Sequence, residues 1–120
     1  MPDVRDFQRR GPTLLDALGV GSPSGASGVV TGLLYGSKTF DWASIADAAV
    51  ATTTVTVTGA VLGDHVVSTA MSVSTGGVIL HGYVSGSNTV TVVANNETGG
   101  AVDMASGTLS VLVAKVSLSA

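Results

Sequence analysis

Along the second half of this chain apolar and polar residues alternate with a period of two. In "TTTVTVT" (52–58), Val55 and Val57 fall on one face and Thr54, Thr56 and Thr58 on the other, the pattern of a half-buried strand. "TVTVVAN" (89–95) places Val90, Val92 and Ala94 together, and "VILHGYV" (78–84) puts His81 on the face of Ile79 and Tyr83. "HVVSTAMSV" (65–73) is expected to present Val67, Met71 and Val73 on one face. The turns between them are rich in Gly, Ser and Asn: "GAVLGD", "STGG", "SGSN", "NETGG". "KTFDW" (38–42) is the expected first strand, "ASIADAAVA" (43–51) a connector with room for one helical turn, and a short strand is expected at 101–104. Short strands punctuated in this way predict an all-β domain, an antiparallel β-sandwich or jelly-roll-like barrel.

The last strand breaks the alternation. In "TLSVLVAKVSL" (108–118), Leu109, Val111 and Val113 lie on one face and Leu112, Val116 and Leu118 on the other. A strand apolar on both faces is covered on both sides. Either it is central and its second half crosses a bulge, or its outer face meets another subunit. The subunit contact is the favoured expectation, carried by Leu112, Val116 and Leu118.

The first half is different. Residues 1–20 hold six of the chain's thirteen acidic and basic side chains: Asp3, Arg5, Asp6, Arg9, Arg10 and Asp16. "GPTLLDALGV" suits a short helix, with Pro12 in its first turn, Gly19 past its end, and Leu14, Leu15 and Leu18 as one stripe. So short a helix does not hold alone in water and must dock on its own domain or on a partner. Residues 21–37 are Gly/Ser-rich, ending in "VVTGLLY", apolar enough for an edge strand or a docking strip. The expected division is therefore an N-terminal extended arm and connector over residues 1–37 and a β-domain over residues 38–120.

Composition sharpens this picture. The chain has 120 residues, of which 11% are charged and 4% aromatic, with 20 Val, 14 Thr and 14 Ser. Ordinary domains carry about 25% charge. Burying a valine contributes about 1.5–3 kcal/mol, at the lower end for so small a side chain. A core of Val and Ala is thin, and a neighbouring subunit is expected to complete it. The net charge of −3 gives no basic footprint for nucleic acid. No apolar run reaches the ~20 residues of a membrane helix. "MPDVRDFQRR" lacks the apolar stretch of a signal peptide, so synthesis in the cytoplasm is expected.

Candidate chemistry is sparse. "GSKT" (36–39) has the look of a phosphate loop but fails its spacing and leads into a strand. His65 follows Asp64, and neighbours on a strand face opposite ways. Asp41, Asp47, Asp64 and Asp103 match no calcium-loop pattern. Serines lack a base in a nucleophile-elbow context. "NET" (96–98) matches a glycosylation sequon and reads as a turn without secretion. No enzyme, cofactor or metal site is expected.

Four blocks carry a resemblance: "TTTVTVTGAVLGD" (Thr52–Asp64), "VSGSNTVTV" (Val84–Val92), "NNETGG" (Asn95–Gly100) and "VDMASGTLSV" (Val102–Val111). Together they resemble small structural proteins of tailed-bacteriophage virions over residues ~46 to 113. The arm is not covered, and "FDWASIADAAVA" departs from the Pro/Gly-rich stretch that usually precedes the first block. The resemblance implies a β-sandwich placed on the virion, as a capsid decoration (cement) protein or head fibre, and implies no site residues. The resulting expectation is a cement protein on the outer surface of the head, forming a homotrimer. Arg9, Arg10, Leu14, Leu15 and Leu18 would dock on the major capsid protein, with no nucleic acid or membrane partner. The alternative is a tail or head fibre domain that recognises host-surface glycan, for which Tyr35, Trp42 and Tyr83 are the available aromatics.

Overall fold

The computed structural model of the chain describes residues 28–118. Six strands follow one another: β1 (Gly28–Phe40), β2 (Val50–Thr56), β3 (His65–Met71), β4 (Ile79–Gly86), β5 (Thr89–Asn95) and β6 (Gly107–Leu118), with no helix among the described residues. They form two antiparallel three-stranded sheets, in the orders β1-β6-β3 and β2-β5-β4. The expected helix over 11–20 lies outside the described residues.

The two sheets share one core because the predicted alternation holds on their facing sides. Val90, Val92 and Ala94 of β5 are fully buried, as are Leu109, Val111 and Val113 of β6, with at most 1% of their surface exposed. Val55, Val57 and Val84 join them, with Trp42, Ile45 and Met104 at one end. β-branched side chains fit this pleated, half-buried setting. β6 is the central strand of its sheet, flanked by β1 and β3, so its inner face reads as an uninterrupted apolar row.

Four expectations need correction. β1 begins at Gly28, so the β-domain starts before residue 38: residues 28–37 pair with β6 from Gly28↔Leu118 to Ser37↔Ser110 as an edge strand, one of the two readings of "VVTGLLY". One of their glycines is a site of close approach. A Cβ on Gly36 would stand 2.5 Å from the Thr56 carbonyl oxygen and 2.7 Å from a Val57 methyl, so only glycine lets β1 cross the end of β2 there. The same strand contains the "GSKT" segment, which is extended and forms no loop. In β3 a register shift between Val66 and Ser68 turns Val67 outward, 56% exposed, while Val66 packs on the core; a bulge breaks the period that grouped Val67 with Met71 and Val73. Residues 101–104 contribute only the bridge Ile45↔Val102. The 43–51 connector turns through Ala48, at φ 61°, rather than through a helical turn.

Candidate interaction surface

The two ends of the molecule are built differently. At one end the β1–β2 and β5–β6 loops are tied by Asn96, whose side chain is completely buried. Its Nδ2 donates to the carbonyl oxygens of Ile45 at 2.8 Å and Gly100 at 2.9 Å, with Ala46 at 3.3 Å, while Oδ1 accepts from the Thr98 amide at 3.0 Å and hydroxyl at 2.7 Å. The backbone of Asn96 also bonds Ala48 and Ala49. The Asn-x-Thr sequon is thus an interior turn lock. The loops at this end carry Asp41, Asp47, Glu97 and Asp103 and no lysine or arginine. Asp47 accepts from the Gly99 amide at 3.0 Å. Among the described residues no group of three or more His, Asp or Glu side chains is placed to hold a metal ion.

At the other end β1 and β6 outrun their neighbours. β3 pairs with β6 only as far as Ala114, and β2 stops at Thr56 against Gly36. Residues 28–31 and 116–118 therefore form a two-stranded ribbon with which no third described strand pairs. Its base is braced by Lys115, whose Nζ donates to an Asp64 oxygen at 2.7 Å and to the Gly59 carbonyl at 3.0 Å. The Lys115 ammonium, together with the Val61 amide, holds the Asp64 carboxyl below the usual aspartate value. The ribbon tip, "GVVT" paired with "VSL", has no charged residue.

The broad faces and flanks complete the surface. The outer face of the β2-β5-β4 sheet presents Thr52, Thr54 and Thr56, then Thr89 and Thr91, then His81, Tyr83 and Ser85, without one charged side chain. On the other sheet Leu112 lies half-buried between Tyr35 of β1 and Ser68 of β3. The β1/β2 flank is closed: Lys38 lies 4.5 Å above the Phe40 ring and donates to Thr53 Oγ1 at 2.7 Å. The β3/β4 flank is open. There a groove of about 150 Å³ is lined by Val66, Val67, Ser68, Thr69, Leu80, His81 and Gly82. Neither β3 nor β4 carries a charged residue to guard its edge.

Of the residues singled out from the sequence, Arg9, Arg10, Leu14, Leu15 and Leu18 lie outside the described residues. Leu112 and Val116 are on β6 away from the core, Val116 38% exposed at the base of the ribbon tip. Leu118 pairs with Gly28 at its end. Trp42 is only 2% exposed and packs edge-on against Phe40, centroids 4.9 Å apart. It is therefore a core residue and not a surface aromatic; Tyr35 and Tyr83 are the exposed ones. The ribbon, the open flank and the Asn96 lock were not singled out from the sequence. An Asn followed by Thr and paired glycines does signal an Asx turn, but its burial comes from the 43–49 loop half a chain away. Comparisons with protein-family models, with curated proteins and with solved structures found no match.

Proposed function

We propose that this chain is a capsid decoration (cement) protein of a tailed bacteriophage, a structural β-sandwich without catalytic activity. It sits in many copies on the outer surface of the head. The resemblance of the four sequence blocks suggests the class. One structural observation supports the reading most: β2, β3, β4 and β5 carry no charged residue, and the sheet edges at the β3/β4 flank are unguarded. A domain dispersed alone in solution normally guards such edges with charge. One that lives among copies of itself on a shell has its edges covered by neighbours.

In this reading residues 1–27, which lead into the ribbon, carry Arg9, Arg10, Leu14, Leu15 and Leu18 to the major capsid protein. The domains associate as a homotrimer through the β6 side, matching the three-fold positions of a shell. Stabilisation follows from linkage: a protein that binds the assembled shell and not its dissociated subunits shifts the equilibrium towards the shell. Quantitative mass spectrometry of purified virions tests it. A ratio to the major capsid protein near one is expected; a ratio far below one overturns the cement reading in favour of a tail or fibre position. Glycan recognition is the weaker reading, because burial of Trp42 leaves it two exposed aromatics, Tyr35 and Tyr83, among the described residues.

A further inference from the structure

A ring of three copies cannot be made from one self-complementary patch. Each interface in it is heterologous, so one surface must meet a different surface on the next copy. The proposed β6 contact supplies one surface and leaves open what it meets. We propose that the β1–β6 ribbon tip of one copy seats in the β3/β4 groove of the next, with Val116 entering between Val66 and Leu80. This rests on the trimeric reading above and names both halves of its interface.

Three observations select the groove and this occupant. The first is charge. The described residues hold five carboxylates and two lysines. Four of the carboxylates crowd the loops at the Asn96 end, where a second copy's acidic loops would be repelled. The ribbon tip and the β3/β4 flank are both uncharged, so bringing them together buries no ion. The second is size. The ribbon beyond the reach of β3, Val116–Leu118 with its partners Gly28–Val30, is about 10 Å long at the usual strand rise. The β3 lining of the groove, Val66–Thr69, is four residues long and spans it. The groove, about 150 Å³, has room for a branched aliphatic side chain. The third is need. A lone two-stranded ribbon is marginal in water, and β3 and β4 present unladdered backbone groups along the groove. Each half lacks what the other provides. Gly82 and Thr69 line the groove from the two sheets, and a Cβ on Gly82 would stand 3.3 Å from the Thr69 methyl.

The chain contains no cysteine, so paired cysteines give an unambiguous test. Val116→Cys and Val67→Cys are placed singly and together in the full-length chain and treated with a short bis-maleimide linker. Val67 lines the groove rim and is exposed, so neither substitution empties the core. The double variant is expected to yield covalent trimers on a denaturing gel, and each single variant to remain monomeric. A dimer from V67C alone would show that two grooves face each other, and a dimer from V116C alone that two ribbons do; either result overturns the proposal. Absence of any cross-link at concentrations where sedimentation shows an oligomer also overturns it, and so does a monomer throughout. A folded monomer is told from a misfolded one by its cooperative thermal transition. Virion copy number is measured separately, so failure of this contact and failure of the cement reading are distinguishable.

Discussion

At the scale of single residues, Asn96 is the polar group on which most of the loop architecture depends. Its side chain satisfies the buried Ile45 carbonyl oxygen, donates in a half-buried bond to the Gly100 carbonyl oxygen, and takes an amide and a hydroxyl in return. Removing one partner of a buried bond costs about 1–3 kcal/mol for each group left unsatisfied. Asn96→Ala is therefore expected to lower unfolding free energy by about 3 kcal/mol, read from urea denaturation. Asn96→Asp loses both donors and buries a carboxyl. Burial raises its pKa in the folded state, so the protonated form is the one the fold tolerates. The penalty is smallest at pH below ~4, the unfolded carboxyl range, and grows as pH rises; a penalty that does not change with pH would contradict the burial. Asp64 behaves in the opposite sense. Its carboxyl is held low by Lys115 and the Val61 amide, so its contribution is present above the unfolded value and lost as pH falls through the lower folded one. The stability difference between wild type and Asp64→Asn should be level from pH 5 upwards and shrink under acid titration. Neither residue's role was legible in the sequence. Asn96 read as one of several turn asparagines, and Lys115 stands 51 positions from Asp64.

At the scale of elements, periodicity was informative wherever a strand had one neighbour on each side and no bulge. β5 and the first half of β6 bury the residues their alternation predicts. The pattern misled in two places for identifiable reasons. The β3 bulge separates Val67 from the face of Met71, since the extra residue reverses the facing across it. In β1, Gly36, which reads as part of a flexible connector, is instead required by the approach of the other sheet. Gly36→Ala tests this directly. With a backbone oxygen at 2.5 Å, the methyl cannot be accommodated by a side-chain shift, and β1 must lift from β2. A loss of about 1–3 kcal/mol is expected, as for overpacked cores. Gly32, around which a Cβ meets nothing within 4 Å, is the internal control: Gly32→Ala should leave the melting temperature near that of wild type. Equal effects at the two positions would mean that strand propensity, and not sheet contact, sets the requirement.

At the scale of the whole molecule, the separation of charge decides how copies meet and how they meet a shell. The sequence shows that charge is scarce; only the fold shows that, among the described residues, the acidic ones avoid the strands and gather in loops, four of the five at one end. Two kinds of contact then have opposite responses to salt. A contact between ribbon and open flank joins uncharged surfaces and is held by apolar burial, which screening does not weaken. A contact that uses Arg5, Arg9 and Arg10 against carboxylates on another molecule weakens as the Debye length falls from about 30 Å at 0.01 M to about 3 Å at 1 M salt. Self-association measured by sedimentation velocity should therefore hold or strengthen between low and high salt, because screening also relaxes repulsion between acidic ends. Attachment to shells, followed by co-sedimentation over the same range, should weaken if the arm arginines carry part of it, and Arg9→Ala with Arg10→Ala should flatten that dependence without changing self-association. Self-association that dissolves in salt would instead place the arginines of one copy on the acidic loops of another, a head-to-tail arrangement in which the open flank stays uncovered.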